Sequence, residues 1–151
     1  MQIRKLNIHE APPIDLLLLA DPSLPLVKEY LNTGECYIVE DYKEIIGVYV
    51  LLSKSLDTIE LVNIAVSESA QGKGIGKQLI IDAIRRSKVK GYKTIEVGTG
   101  NSSIGQLALY QKCGFRITSI DSDFFTRHYK EDIFENGIWC RDMIRLSQQL
   151  N

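Results

Sequence analysis

Histidine is nearly missing from this chain: only His9 and His128 occur in 151 residues, and no His-x-x-x-His spacing is present. A catalytic metal centre needs a tighter set of ligands than that, so no metal is expected. The three cysteines, Cys36, Cys113 and Cys140, are odd in number, far apart and without a Cys-x-x-Cys pair. Neither a disulfide framework nor a zinc site follows from them, and they read as the reduced thiols of a cytoplasmic protein. Long apolar runs are lacking as well. Ile14 to Ala20 is interrupted by Asp15 and stops at Asp21-Pro22, far short of the roughly 20 residues of a membrane span, and Met1 to Lys5 does not lead into a signal-peptide pattern. Nor is there an excess of one charge. The 18 basic and 19 acidic side chains leave a formal net charge of -1, so neither nucleic acid nor an anionic membrane is expected as a partner.

What is present is an ordinary globular balance, 44% hydrophobic and 25% charged, on a length that suits one core. The chain reads as a single soluble domain over residues 1–151, without repeat, low-complexity tract or linker. Gln2 to Asn7 alternates like a short strand. The Leu-rich stretch after Pro12-Pro13 and the helically spaced Leu26, Val27, Tyr30 and Leu31 predict two short helices joined at a proline turn. Cys36 to Glu40 and Glu44 to Leu52 are β-branched and aromatic around Asp41-Tyr42-Lys43, which predicts a hairpin. Thr58 to Val66 covers both of its faces with largely apolar side chains, the mark of a central strand.

Gly72 to Gly76 opens a helix with Leu79, Ile80, Ala83 and Ile84 on one face, basic residues in its last turns and Gly91 as its stop. A strand follows at Thr94 to Val97, then a helix from about Ser103 to Lys112 with Ser103 and Gln106 in capping-box spacing and Gly114 beyond it. Phe115 to Ile120 and Ile138 to Leu146 complete the strands, separated by a polar, aromatic connection from Asp121 to Gly137. The order predicts an α/β (α+β) fold with helices on the faces of a mixed sheet.

The sharpest local feature is Gln71-Gly72-Lys73-Gly74-Ile75-Gly76, between the buried strand and the amphipathic helix. Glycines let a ligand approach the backbone closely, and the first N–H groups of a helix favour a phosphate or pyrophosphate. Two nucleotide motifs fail here: a P-loop needs Gly at Gln71 and Ser or Thr at Gln78, and the dinucleotide fingerprint needs Gly at Lys77. Taken alone, three glycines are equally a plain strand-to-helix connection.

In combination the motifs are more specific. Asn63-Ile64-Ala65-Val66, Gln71 to Gly76, Asn101, and Leu109-Tyr110-Gln111-Lys112-Cys113-Gly114-Phe115 stand in the order and spacing of the GCN5-related N-acetyltransferase (GNAT) superfamily, which the chain resembles from about Cys36 to Ser147. Gln71 replaces the commoner Arg, a frequent variant. The resemblance implies a mostly antiparallel central sheet of about six to seven strands flanked by about four helices. It also implies transfer of an acetyl group from acetyl-CoA to an amine by direct attack, without a covalent acetyl-enzyme. Gln71, Gly72, Lys73, Gly74, Ile75 and Gly76 would bind the coenzyme A pyrophosphate with Lys77 nearby, Ile64, Ala65 and Val66 would bind the pantetheine arm like an added strand, and Asn101 matches a position that often contacts that arm.

Tyr110 matches the tyrosine that protonates the departing thiolate, although by its spacing from Leu107 it is also a packing aromatic. A lysine-like ammonium with a pKa of about 10.4 must lose its proton first. Glu60, or a water relayed to Glu60 or to a backbone carbonyl, would take it, and a solvated Glu60 without that role is the plain alternative. The acceptor would be a small amine or polyamine, an aminoglycoside-like compound, an amino acid, or a protein or peptide amine. The connection with Asp121, Asp123, Glu131, Asp132 and Glu135 among Phe124, Phe125, His128 and Tyr129 is a candidate anionic, aromatic wall for it or a solvated loop, and the segment from Asp15 to Tyr30, which faces the same cleft in the family, is an equal contender. The family is often dimeric, so a homodimer is compatible. A non-catalytic coenzyme A-binding module on the same fold is the rival reading.

Overall fold

The computed structural model describes residues 2–151. In chain order the elements are β1 (Ile3–Lys5), α1 (Ile14–Ala20), α2 (Leu24–Thr33), β2 (Glu35–Asp41), β3 (Glu44–Ser53), β4 (Thr58–Val66), a single 3-10 turn (Glu68–Ala70), α3 (Ile75–Val89), β5 (Thr94–Gly100), α4 (Ile104–Lys112), β6 (Arg116–Asp121), α5 (Phe124–His128), β7 (Ile133–Glu135), β8 (Ile138–Cys140) and β9 (Met143–Gln149). Seven strands form one sheet in the order β1-β2-β3-β4-β5-β9-β6. Among the described residues its pairings are antiparallel except that of β4 with β5. This is the expected mixed sheet with helices on its faces, and β4 is its middle strand.

Two apolar layers cover the sheet. Leu79, Ile80 and Ala83 of α3 pack with Tyr49, Leu51, Ile59, Leu61 and Ile95 on one face. Leu16, Leu17 and Val27 of α1 and α2 pack with Ile38, Val48 and Val50 on the other. Each fully buried leucine or isoleucine contributes roughly 1.5–3 kcal/mol, which outweighs the weak helix propensity of pieces as short as α1. Ser23 caps α2 by accepting from Leu26 N–H at 3.4 Å. A buried polar contact joins α3 to β3: the Tyr49 hydroxyl donates to Asp82 Oδ2 at 2.6 Å. Burial alone would raise the Asp82 carboxyl, but hydrogen bonds from Tyr49, Arg86 and Arg85 hold it below its ordinary value.

Three sequence expectations are corrected. Ser103 and Gln106 form no capping box, because the Ser103 hydroxyl donates to Glu135 Oε1 at 2.7 Å and caps nothing in α4. The strand expected from Ile138 to Leu146 is broken into β8 and β9, since Asn101 Oδ1 takes the N–H groups of Arg141 and Asp142 at 2.9 and 3.0 Å out of the ladder. The connection from Asp121 to Gly137 holds α5 and β7, and β7 pairs with β8 in a small hairpin. Its two-residue turn is Asn136-Gly137, both at positive φ, a hairpin signal that was present in the sequence. Among the described residues no helix is long and apolar enough to cross a membrane, and no group of three or more His, Cys, Asp or Glu is placed to hold a metal.

Tyr49→Phe is expected to destabilise the fold by about 1.5–3 kcal/mol, the usual worth of a hydrogen bond to a charged group, read by urea unfolding at neutral pH. The carboxyl is held below its ordinary 3.8, so that coupling is complete above this pH and is lost as pH falls beneath it. The difference between the two proteins should therefore shrink in acid, and a constant difference down to the lowest pH would rule out the Asp82 contact as its source.

Candidate active site

The site begins where two neighbouring strands part. β4 and β5 pair in parallel from Thr58↔Thr94 to Leu61↔Val97 and no further, although β4 runs on to Val66 and β5 to Gly100. At the point of parting, Val50 faces Asn63 and Leu51 faces Leu61, so Val62 is an extra, bulged residue on β4. A bulge bends its strand and sharpens the twist, and here it carries the end of β4 away from β5. The Ser67 N–H donates to Ile46 O at 2.8 Å across to β3. Main-chain groups alternate along a strand, so those of Ile64 and Val66 face the gap. Val66 O accepts from the Gln71 amide at 3.1 Å.

The gap opens into a cleft of about 870 Å³. One end is formed by the glycine turn. Gly72 and Gly74 lie at φ +78° and +80°, with nothing within 4 Å of the place a Cβ would take. Gln78 N–H makes the first helical bond, to Gly74 O at 3.1 Å, and the N–H groups of residues 72–77 donate to no described residue. Six consecutive unpaired donors, with the positive end of the 15-residue α3 behind them, make an anion cradle of pyrophosphate character. Lys77 is the sole cationic residue among the described residues lining the cleft.

Tyr110, on α4, lines the same cleft. It is 3% exposed and packs edge-on against Phe115 at 5.9 Å. Burial first, and the neighbouring Cys113 second, push its hydroxyl above the ordinary value, so it remains a proton donor at physiological pH. Gly98 and Gly100 on β5 are required by close approach: a Cβ there would meet Met143 Sδ at 2.6 Å and Cys140 Sγ at 2.5 Å.

The structure brings Ile64, Ala65, Val66, Gln71, Gly72, Gly74, Ile75, Gly76, Lys77 and Tyr110 together around one cleft. Lys73 is exposed beside it and is not part of its lining. Two expected residues lie elsewhere. Glu60 is outside the cleft lining and is ion-paired with Lys54 at 3.0 Å, one residue before Leu61, where the β4 contribution to the lining begins. The Asn101 side chain braces the β8–β9 junction: its amide donates to Trp139 O at 3.1 Å and its oxygen takes two backbone N–H groups, which leaves one amide N–H uncommitted. Both segments expected to contact the acceptor contribute to the cleft lining, Asp21 from the first and Phe125, Tyr129, Phe134 and Glu135 from the second, and Asn63 of β4, for which no separate role was expected, lines it too.

The model of the Acetyltransferase (GNAT) family matches residues 6–115. The chain is 67% identical over 132 residues to the uncharacterized N-acetyltransferase YvbK of Bacillus subtilis, covering 87% of this chain and 85% of that protein. It is similar to a GNAT family acetyltransferase from Elizabethkingia anophelis solved with acetyl-CoA bound, with a TM-score of 0.97, 52% identity, and 99% and 97% of the two chains covered. It is also similar to a Bacillus subtilis acetyltransferase solved in complex with CoA, with a TM-score of 0.93, 60% identity, and 99% and 100% covered. With its parted strands, its unpaired glycine turn and the match across most of its length, the chain belongs to the acetyltransferase (GNAT) family.

Proposed function

We propose that this acetyltransferase moves the acetyl group of acetyl-CoA directly onto a primary amine, of a small molecule or of a protein or peptide. The reading rests on one observation: the glycine turn, whose residues Gly72 and 74–77 line the cleft with unpaired N–H groups, shares that cleft with the unladdered edge of β4 and Tyr110. Acetyl-CoA supplies the activated thioester. The glycine turn holds the pyrophosphate through its backbone, so its role depends on conformation rather than on side chains. The outward main-chain groups of Ile64 and Val66 offer the amide-bearing arm a strand edge to pair with. A backbone N–H there also stands ready for negative charge on the acyl oxygen, a contribution of roughly 10²-fold or more in rate.

Tyr110 gives its proton to the leaving thiolate. A thiol has an ordinary pKa of about 8.5 and leaves tolerably well without help, so the acid assists the step and is not indispensable. The amine must be neutral to attack. With Glu60 paired to Lys54 outside the cleft, we assign its proton to water in the cleft, passed outward to solvent. Cys140 and Cys113 have no covalent role in this scheme, and burial raises both thiols above their ordinary value, which disfavours the nucleophilic thiolate.

Release of free coenzyme A thiol from acetyl-CoA across a panel of amines tests the reading, and a purified protein that binds CoA yet acetylates no amine would overturn it. Tyr110→Phe should lower kcat by about tenfold to 10²-fold, at the weak end of general acid catalysis, and leave the KM for acetyl-CoA unchanged; an unaltered kcat would assign Tyr110 to packing alone. Because Tyr110 stays protonated well above neutrality, kcat/KM for the amine should climb about tenfold per pH unit below the amine's own pKa of roughly 10. Glu60→Gln should not change that slope, and a plateau near neutrality that disappears in Glu60→Gln would restore Glu60 as the base. Gly74→Ala meets no atom but strains a left-handed backbone by about 1–2 kcal/mol. If the turn relaxes, the KM for acetyl-CoA rises up to about tenfold, whereas an unchanged KM would detach the turn from coenzyme binding.

A further inference from the structure

The cleft lining contains a carboxylate without a counter-ion, on a wall built by segments other than the glycine turn. Asp21 lies in the turn between α1 and α2, half-buried, and lines the cleft. Its Oδ1 accepts from Ser23 N–H at 3.1 Å and from the Tyr129 hydroxyl at 2.8 Å, and its Oδ2 accepts from the Tyr30 hydroxyl at 3.3 Å. All three donors are neutral, and among the described residues no lysine, arginine or histidine pairs with it. Glu135 in the same lining is also without a cationic partner among the described residues and accepts from the Ser102 and Ser103 hydroxyls at 3.3 and 2.7 Å. A carboxylate offers about four acceptor positions, so one remains on Asp21 for a ligand.

A second observation comes from β4. Asn63 is 4% exposed and lines the cleft. Its amide nitrogen donates to Leu17 O at 3.0 Å and to the Tyr30 hydroxyl at 2.8 Å. Leu17 O can only accept, which fixes which end of the amide faces it. Asn63 Oδ1 is then buried with no hydrogen-bond partner. Such an atom costs about 1–3 kcal/mol unless something donates to it. Tyr30 joins the two, receiving from Asn63 and donating to Asp21, so an unpaired acceptor and an unneutralised anion belong to one connected group.

This wall asks for N–H donors and positive charge. It does not suit the reacting nitrogen, because a carboxylate stabilises the ammonium and so depletes the neutral amine that attacks. The seat fits a different nitrogen of the same molecule. Resting on the acetyl-transfer reading above, we propose that Asp21 and Asn63 hold a second, non-reacting ammonium of the acceptor, which makes the substrate class a small diamine or polyamine. An α-amino acid is disfavoured on this wall, where its carboxylate would meet Asp21 and, further along the cleft, Glu135.

The test compares 1,4-diaminobutane and spermidine with butylamine at saturating acetyl-CoA, in the wild type, Asp21→Asn and Tyr129→Phe. Wild type should prefer the di- and triamine over the monoamine in kcat/KM by about tenfold to a hundredfold, the range of a charged hydrogen bond. Asp21→Asn is nearly isosteric and should abolish that preference while its KM for acetyl-CoA stays unchanged. Tyr129→Phe keeps the charge and should keep the preference. Equal use of mono- and diamines by the wild type, or a preference that survives Asp21→Asn, overturns this inference and leaves acetyl transfer standing. Failure of every amine with CoA still bound overturns both.

Discussion

Everything functional in this molecule follows from the place where β4 and β5 stop pairing. A parallel ladder that ends at Leu61↔Val97 while both strands continue leaves main-chain donors and acceptors with no partner inside the sheet, and buried groups of that kind are tolerated only if a ligand or water completes them. The Val62 bulge bends β4, and β9 keeps β5 straight by pairing with it as far as Gly100↔Met143. One strand is thus held while its neighbour leaves. The glycine turn, Tyr110 and the Asp21 wall are arranged around the opening that results.

The cleft lining has two kinds of chemistry because different parts of the chain supply them. At the start of α3 the residues are mostly glycine and the active groups are N–H dipoles, with Lys77 adding charge. Other segments bring side-chain oxygens, those of Asp21, Asn63 and Glu135, with the rings of Phe125 and Tyr129 in the same lining. On the acetyl-transfer reading proposed above, the first set suits an anionic coenzyme and the second a cationic acceptor.

Legibility in the sequence followed the range of the interactions. Thr58 to Val66 and Glu44 to Leu52 were readable as strands because their side chains are buried on both faces, and the α3 face was readable from Leu79, Ile80 and Ala83 because helical period is local. Asn101 shows the opposite case. Its position after β5 matched a familiar pattern, yet its three side-chain hydrogen bonds reach Trp139, Arg141 and Asp142, some 40 residues downstream, where no local period announces them. The same contacts split the strand that Ile138 to Leu146 would otherwise form. For Glu60, alternation gives a face of the sheet but not its partner, and the ion pair with Lys54 joins two sides of a turn that no local period announces.

The sequence by itself determined the layered α/β architecture, the glycine turn at residues 72–77 and the tyrosine at 110, because each depends on residue type and short spacing alone. Only the tertiary structure decided which polar groups are left without partners, since that depends on what every other segment does with its own. Asp21, Asn63 and Tyr129 lie in three distant parts of the chain, and none is unusual where it stands. Their meaning comes from Tyr30 linking Asn63 to Asp21, from α5 delivering Tyr129 to the same carboxylate, and from the absence of any described cation close enough to neutralise it.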